Sequence, residues 1–167
     1  MTPPRSTIVL EKYRMATGPV IDRATDADAS EIATLFLASR ADALPYLRRV
    51  HSDESVHNWV RTIMLVQGQT WVVRQDGQIL GFVNLAGDAL NQLYLQPGQY
   101  RRGIGSMLLA QAKALSPGRL QLFTFQRNTR ARAFYEARGF RVVGLNDGSQ
   151  NEEGEPDVLY VWEAASG

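Results

Sequence analysis

The 167-residue chain has no cysteine, which excludes disulfide staples, cysteine nucleophiles and thiolate metal sites. That lack suits a reducing compartment, and a cytoplasmic protein is expected. Only two histidines occur, His51 and His57, without cysteine partners, so neither a structural zinc site nor any other metal is expected. No apolar run is long enough to span a bilayer, and the opening residues, with Pro3-Pro4-Arg5, lack a signal-peptide core. Charge of either sign is nearly balanced, 18 Lys and Arg against 17 Asp and Glu, for a net charge of +1. Such a chain has no bulk attraction to nucleic acid or to a membrane surface, and neither is expected as a partner.

What is present suffices for one domain: 44% of residues are hydrophobic, enough for a core at this length. Residues 1–17 mix polar groups with one short apolar patch at Ile8 to Leu10 and are expected to be a mobile extension of a single domain spanning 18–167. Pro19 to Arg23 reads as a first strand. Asp26 to Ser39 reads as a helix with Ile32, Leu35 and Phe36 inward and Asp26 or Asp28 near its cap. Pro45-Tyr46-Leu47 and Ser52 to Gln67 read as a broken helix pair, the second part burying Val56, Val60, Ile63 and Met64, with Trp59 on or beside that face. Thr70 to Arg74 and Gln78 to Leu85 make a hairpin about Asp76-Gly77. Leu90 to Gln96, Leu120 to Phe125, Arg141 to Leu145 and Val158 to Trp162 read as further strands, and 146–157 as a polar loop.

The most telling stretch is Gln99-Tyr100-Arg101-Arg102-Gly103-Ile104-Gly105-Ser106, which joins a strand to a helix carrying Ile104, Met107, Leu108 and Leu115 at helical spacing. Its glycines sit at a helix N-terminus, where unpaired N–H groups and the helix dipole favour an anion, and they let backbone approach a ligand closely. The dinucleotide fingerprint requires a third glycine where Leu108 stands. The Walker pattern requires Lys then Ser or Thr after the second glycine, where Ser106 and Met107 stand. An ATP site therefore has little support.

Further on, Asn128 and Thr129 precede Ala131, Phe134, Tyr135 and Glu136, followed by Gly139-Phe140, a capped helix with a glycine stop. In this order and separation the loop and the Asn-x-x-Ala-x-x-Phe-Tyr-Glu-x-x-Gly-Phe run resemble the GNAT superfamily of N-acetyltransferases. The resemblance covers roughly Thr70 to Val143 well and the flanks more loosely.

The resemblance implies an α+β fold, mixed α/β, with a central, mostly antiparallel, splayed sheet of about six to seven strands flanked by about four helices. It implies acetyl-CoA in the cleft as co-substrate. The pyrophosphate would lie on the loop formed by Tyr100, Arg101, Arg102, Gly103, Ile104, Gly105 and Ser106, and the pantetheine arm on the strand edge of Leu93, Tyr94 and Leu95. Asn128 would contact the arm, and Tyr135 would stand near the sulfur. Tyr100 departs from the family, which usually has Gln or Arg there. A homodimer is left open by the family's habits.

The chemistry has independent reasons. Acetyl transfer to an amine needs a neutral nucleophile, a polarised carbonyl and a proton for the departing thiolate; a tyrosine at about pKa 10 beside a thiol at about 8.5 can donate a hydrogen bond and act late as an acid. Carbonyl activation is expected from a backbone N–H in Leu93 to Leu95, freed by a bulge or by strand separation. No base is evident: relatives carry Glu five residues before the equivalent Asn, where this chain has Phe123, and acidic or His residues on the strand before the loop, where it has Asn91 and Gln92. Asp88, His51, Glu155 and Asp157 are the remaining candidates.

Arginines at 127, 130, 132, 138 and 141 form a basic cluster that reads first as a solvated helix face, in which Arg127 or Arg130 could assist the CoA phosphates. Specificity is expected in 41–67 and 146–157. The late loop, with Asp147, Glu152, Glu153, Glu155 and Asp157 and no basic residue, points to an ammonium-bearing small-molecule or peptide acceptor. The expectation is an acetyl-CoA-dependent N-acetyltransferase acting by direct attack in a ternary complex. The alternative is a CoA-binding sensor or interaction module without turnover.

Overall fold

A computed structural model describes residues 18–166; the expectation for residues 1–17 lies outside the described residues. The elements are β1 (Val20–Arg23), α1 (Ala29–Ala43), α2 (Asp53–Trp59), β2 (Gln69–Gln75), β3 (Gln78–Ala86), β4 (Ala89–Leu95), α3 (Ile104–Leu115), β5 (Arg119–Phe125), α4 (Thr129–Glu136), β6 (Arg141–Asn146) and β7 (Asp157–Glu163). The strands form one seven-stranded sheet in the order β1-β2-β3-β4-β5-β7-β6, antiparallel except for β4 beside β5. This is the expected mixed α/β architecture.

Local chemistry sets the boundaries. The β2–β3 hairpin turns on Asp76 and Gly77 with φ of 52° and 76°, the two positive values that a tight hairpin turn requires. A 3-10 turn at Asp26–Asp28 leads into α1: Thr25 N–H donates to the Asp28 carboxylate at 2.8 Å, and the Arg74 guanidinium, 2.6 Å away, ties that carboxylate to β2. Helix α1 continues to Ala43, one turn beyond the expected end, because nothing in Arg40-Ala41-Asp42 breaks a helix. Pro45-Tyr46-Leu47, expected to be helical, lies instead in the irregular connection to α2.

After Trp59 the helix widens: Leu65 N–H donates to Val60 O, an i→i+5 bond, across Val60–Met64. Widening rotates Ile63 outward to 41% exposure, against the expectation of burial, while Val56, Val60 and Met64 stay inside. The buried Asn84 side chain donates to Met64 O and Thr70 Oγ1 and pins the end of this segment to the sheet.

Strand alternation divides the core. Val72, Ile79 and Phe82 meet Ile32, Leu35 and Phe36 of α1 and Val56 and Val60, with Trp59 packed alongside. Val73, Leu80 and Val83 meet Ile104 and Leu108 of α3, in a cluster that continues to Leu120, Leu122, Tyr135 and Tyr160. Tyr94 faces the α1 side, whereas Leu93 and Leu95 face the α3 side.

Candidate active site

The site begins where β4 and β5 part. Their register holds one pair, Ala89 with Gln121, so the strands diverge beyond it. A bulge shifts the β3–β4 register between Asn84 opposite Gln92 and Leu85 opposite Leu90, leaving Asn91 as the extra residue. Gln96 N–H donates to Leu80 O at 2.8 Å, which makes Leu80/Gln96 a hydrogen-bonded pair of the ladder. By alternation Phe82/Tyr94 is the next such pair, so Leu93 and Leu95 turn their N–H and C=O groups away from β3 and into the wedge. Both devices expected from the sequence, bulge and opening, are present.

At the wedge's mouth the chain turns through 96–103 into α3. Arg101 has φ of 63° and Gly103 φ of 83°, the left-handed region on either side of Arg102. Such alternation directs successive N–H groups to one side as an anion-binding concavity. No backbone N–H from Tyr100 to Ser106 donates to an acceptor among the described residues; the first helical bond is Met107 N–H to Gly103 O. The two glycines have different reasons. A Cβ on Gly103 would meet nothing within 4 Å, and its requirement is the positive φ. A Cβ on Gly105 would lie 3.1 Å from Phe134 Cε2, so the packing of α3 against α4 is itself a reason for glycine there.

Guanidinium groups gather here. Arg130 Cζ lies 4.1 Å from the centroid of the Tyr100 ring, and Arg138 bonds Ser106 Oγ at 2.9 Å and Phe134 O at 2.9 Å. Arg102 bonds Gln99 Oε1. Arg127, proposed with Arg130 from sequence, is elsewhere: it chelates Glu155 at 2.6 and 2.9 Å and lies over Tyr46. Arg130 alone of the two stands at the turn.

Asn128 caps α4, its Oδ1 accepting from Ala131 N–H at 3.2 Å. That cap directs α4 so that Tyr135 enters the core, 7% exposed, with Phe134 and Phe140 edge-on at 5.2 and 5.3 Å. Burial pushes the Tyr135 phenol far above its ordinary value, with the Tyr94 hydroxyl adding to the shift. Burial likewise raises Tyr94, against the opposing charge of Arg40. Tyr135 is thus a neutral donor throughout the physiological range.

On the α1 side a groove of about 1100 Å³ runs between α1, the segment after it and the widened helix, with Trp59, His51, Gln92, Glu152 and Glu153 on its walls. Sequence reasoning placed 41–67 and 146–157 at the acceptor side, and these segments meet here. Their contact is ionic: Arg40 with Glu153 at 3.0 Å and His51 Nε2 with Glu152 Oε2 at 2.8 Å. Arg40 and Arg127 thus each hold one carboxylate of the acidic loop, and part of its expected negative charge is offset from outside the loop. Asp147 is held by Ser149 N–H, and Asp157 accepts from Asn146 and Asn151.

The four base candidates separate. Asp88 lies in the β3–β4 turn, at the paired end of the wedge, bound to Arg119 and Gln121; those bonds hold its carboxyl below the usual range. The Arg127 hydrogen bonds do the same for Glu155. Asp157 lies beside a smaller cleft of about 390 Å³ with Phe123, which is 63% exposed. Of the four, only His51 lines the groove on the α1 side. Tyr94 and Arg40, whose contact joins groove to wedge, were not legible as a pair, since they are far apart in sequence.

A sheet split between β4 and β5, a turn with unspent N–H groups at the split and a buried phenol on α4 are the arrangement expected of an acetyltransferase fold. Residues 66–142 match the acetyltransferase (GNAT) domain family. The chain is 32% identical over 144 residues to peptidyl-lysine N-acetyltransferase YiaC of Escherichia coli strain K12, covering 86% of this chain and 96% of that protein. Among solved structures it superposes on apo-form YjaB from Escherichia coli with a TM-score of 0.73 at 22% identity, covering 89% of this chain and all of that one. It also superposes on yncA of Salmonella typhimurium, solved with its cofactor acetyl-CoA, with a TM-score of 0.69 at 14% identity, covering 90% and 96% of the two chains. The chain belongs to the GNAT acetyltransferase family, whose co-substrate is acetyl-CoA. Among the described residues no helix is long and apolar enough to cross a membrane.

Proposed function

We propose that this acetyltransferase modifies the ε-amine of lysine in peptides or proteins, by direct attack on acetyl-CoA in a ternary complex. The observation that carries the reading is the open β4–β5 wedge beside a turn whose N–H groups are unspent. An elongated ligand with an anionic end and an amide-bearing arm fits those free groups. The printed activity of YiaC, 32% identical across nearly its whole length, supports lysine as the acceptor. An aromatic wall of Phe36 and Trp59, ring centroids 5.6 Å apart, suits the apolar stem of a lysine side chain.

When bound, acetyl-CoA supplies an activated thioester acetyl group to a neutral amine. Leu93 and Leu95 offer backbone N–H and C=O groups to the pantetheine amides and an N–H toward the carbonyl oxygen. Residues Tyr100 to Ser106 would hold the pyrophosphate, and Asn128, whose Oδ1 is engaged in its cap, would offer Nδ2 to the arm. Tyr135 donates a hydrogen bond to the sulfur as negative charge develops. Because its pKa lies above that of a thiol at about 8.5, complete proton transfer from it is uphill, and its role is hydrogen-bond donation. His51, oriented by Glu152, is the candidate for receiving the amine proton on the groove side.

The test is acetyl-CoA turnover on lysine peptides, on the same peptides with lysine replaced by arginine, and on free amines, with mass spectrometry locating the product. Acetyl on the lysine ε-amine is expected. Tight acetyl-CoA binding without turnover on any amine would instead favour the non-catalytic CoA-binding module.

A further inference from the structure

One buried carboxylate of the 146–157 loop is not met by a cation. Glu153 pairs with Arg40, Glu155 with Arg127 and Glu152 with His51. Asp157 is buried, and among the described residues no guanidinium, ammonium or imidazole pairs with it. Its carboxylate accepts from two amides, Asn146 Nδ2 at 2.8 Å and Asn151 Nδ2 at 3.1 Å, one on each oxygen. Each oxygen keeps a further lone pair, whereas carboxylates at such depth are ordinarily paired.

Asp157 lines the cleft of about 390 Å³ together with Phe123, Phe125 and Gln150. Leu120 and Leu122 of β5 enter the α3-side core, so by alternation Phe123 and Phe125 face the α1 side. The α1-side core draws its strand residues from β2, β3 and β4, which leaves Phe123 of β5 uncovered there. Gln92 of β4 lines the groove and Phe123 of β5 lines the cleft, so the two hollows flank the diverging strands. The loop is their common wall, with Gln150 and Asn151 on the cleft and Glu152 and Glu153 on the groove.

None of the residues lining the cleft is basic. Phenyl faces attract a cation through the ring quadrupole, and carboxylate lone pairs accept its N–H groups. A guanidinium uses both, stacking on a ring while its fork meets the oxygens.

We propose that this cleft receives a second basic side chain of the acceptor, so that the enzyme favours a target lysine with an arginine or lysine within a few residues. A peptide crossing the wedge with its target lysine in the groove carries its neighbours over the cleft. The proposal rests on the reading of lysine peptides as acceptors, and the experiment separates the two. Steady-state kinetics are measured on peptides with a single lysine, in which each of the two positions on either side is in turn alanine, arginine, leucine or glutamate. The enzymes are wild type, Phe123→Ala and Asp157→Asn.

Arginine in at least one position is expected to raise kcat/KM about tenfold over alanine, through KM, and glutamate there to lower it. Each variant is expected to lose most of that gain and to keep its turnover of the alanine peptide. The proposal is overturned by equal rates for arginine and alanine at every position, by an advantage for leucine as large as that for arginine, or by an arginine advantage that survives in both variants. A fall in kcat on every peptide in Asp157→Asn also overturns it, because Asp157 would then serve the proton path. Absence of turnover by wild type on any lysine peptide overturns the lysine reading itself. Phe123 is exposed, so Phe123→Ala decides the matter where Asp157→Asn lowers the thermal stability of the fold.

Discussion

Gly105 and Phe134 are in such close contact that a Cβ on the glycine would lie 3.1 and 3.2 Å from two ring carbons. This contact sets how α3 leaves the turn at 96–103 and how α4 presents Tyr135. Gly105→Val therefore overpacks the helix interface and is expected to destabilise the fold by about 1–3 kcal/mol. Phe134→Ala in the same chain should recover part of the loss, as a double-mutant cycle in denaturant unfolding will read. Gly103→Ala meets no neighbour but forces φ of 83° on a residue with a side chain, a strain of about 1–2 kcal/mol. Its expected signature is weakened acetyl-CoA binding in calorimetry, since relaxing that φ redirects the N–H groups.

Tyr135→Phe removes one hydroxyl from a buried ring and leaves its aromatic contacts in place. If the hydroxyl serves the leaving sulfur, kcat should fall by about tenfold or more while acetyl-CoA affinity stays within twofold, a split that steady-state and binding measurements resolve. An unchanged kcat would remove the role. The same phenol predicts an alkaline effect. Its folded pKa is raised, so above about pH 10 the unfolded chain releases a proton that the folded chain keeps, and stability falls as pH rises. Tyr135→Phe should shallow that alkaline decline and leave stability near neutrality unchanged.

The turn, its helix, the Asp76-Gly77 hairpin and the capped α4 were legible because each depends on residues close in sequence: glycines at positive φ, an Asn cap, helical spacing. Three features were not. The outward turn of Ile63 follows from an i→i+5 bond, which apolar spacing does not encode. The pairing of Arg127 with Glu155 spans 28 residues and withdrew an arginine that proximity to Asn128 had made a phosphate ligand. The acidic loop read as free charge because its partners, Arg40 and His51, lie more than a hundred residues upstream. Local rules reached the turn and the elements around it, and tertiary charge pairing decided the groove on the α1 side.

Asp28 joins the entry of α1 to β2. Burial would raise its pKa, but the hydrogen bonds from Arg74 and Thr25 and the Arg74 charge outweigh that and bring it below the ordinary value. A carboxylate lowered in the folded state stabilises above its unfolded pKa of about 3.9, and the contribution is lost as pH falls through the folded value. Asp28→Asn is expected to cost about 1–3 kcal/mol at neutral pH and to flatten the acid limb of stability below about pH 4. Urea unfolding at a series of pH values checks both.

The late loop is tied to the rest of the protein by Arg40–Glu153, where both side chains are largely buried, and by the Arg127–Glu155 chelate. Glu153 also influences Tyr94, because the Arg40 it holds lies beside the Tyr94 hydroxyl on the strand that borders the wedge. Glu153→Gln removes the charge without the volume, leaving Arg40 free to shift toward Tyr94 or into the groove. Because the groove is formed by this loop and α1, acceptor KM is expected to rise about three- to tenfold, corresponding to a lost charge-assisted bond of about 1 kcal/mol. Acetyl-CoA affinity should not change, since Leu93 and Leu95 face the α3 side of β4, away from the groove. Parallel measurement of acceptor KM and acetyl-CoA Kd tests this separation. A change in Kd equal to the change in KM would mean that the loop acts through the fold as a whole and not at the acceptor groove.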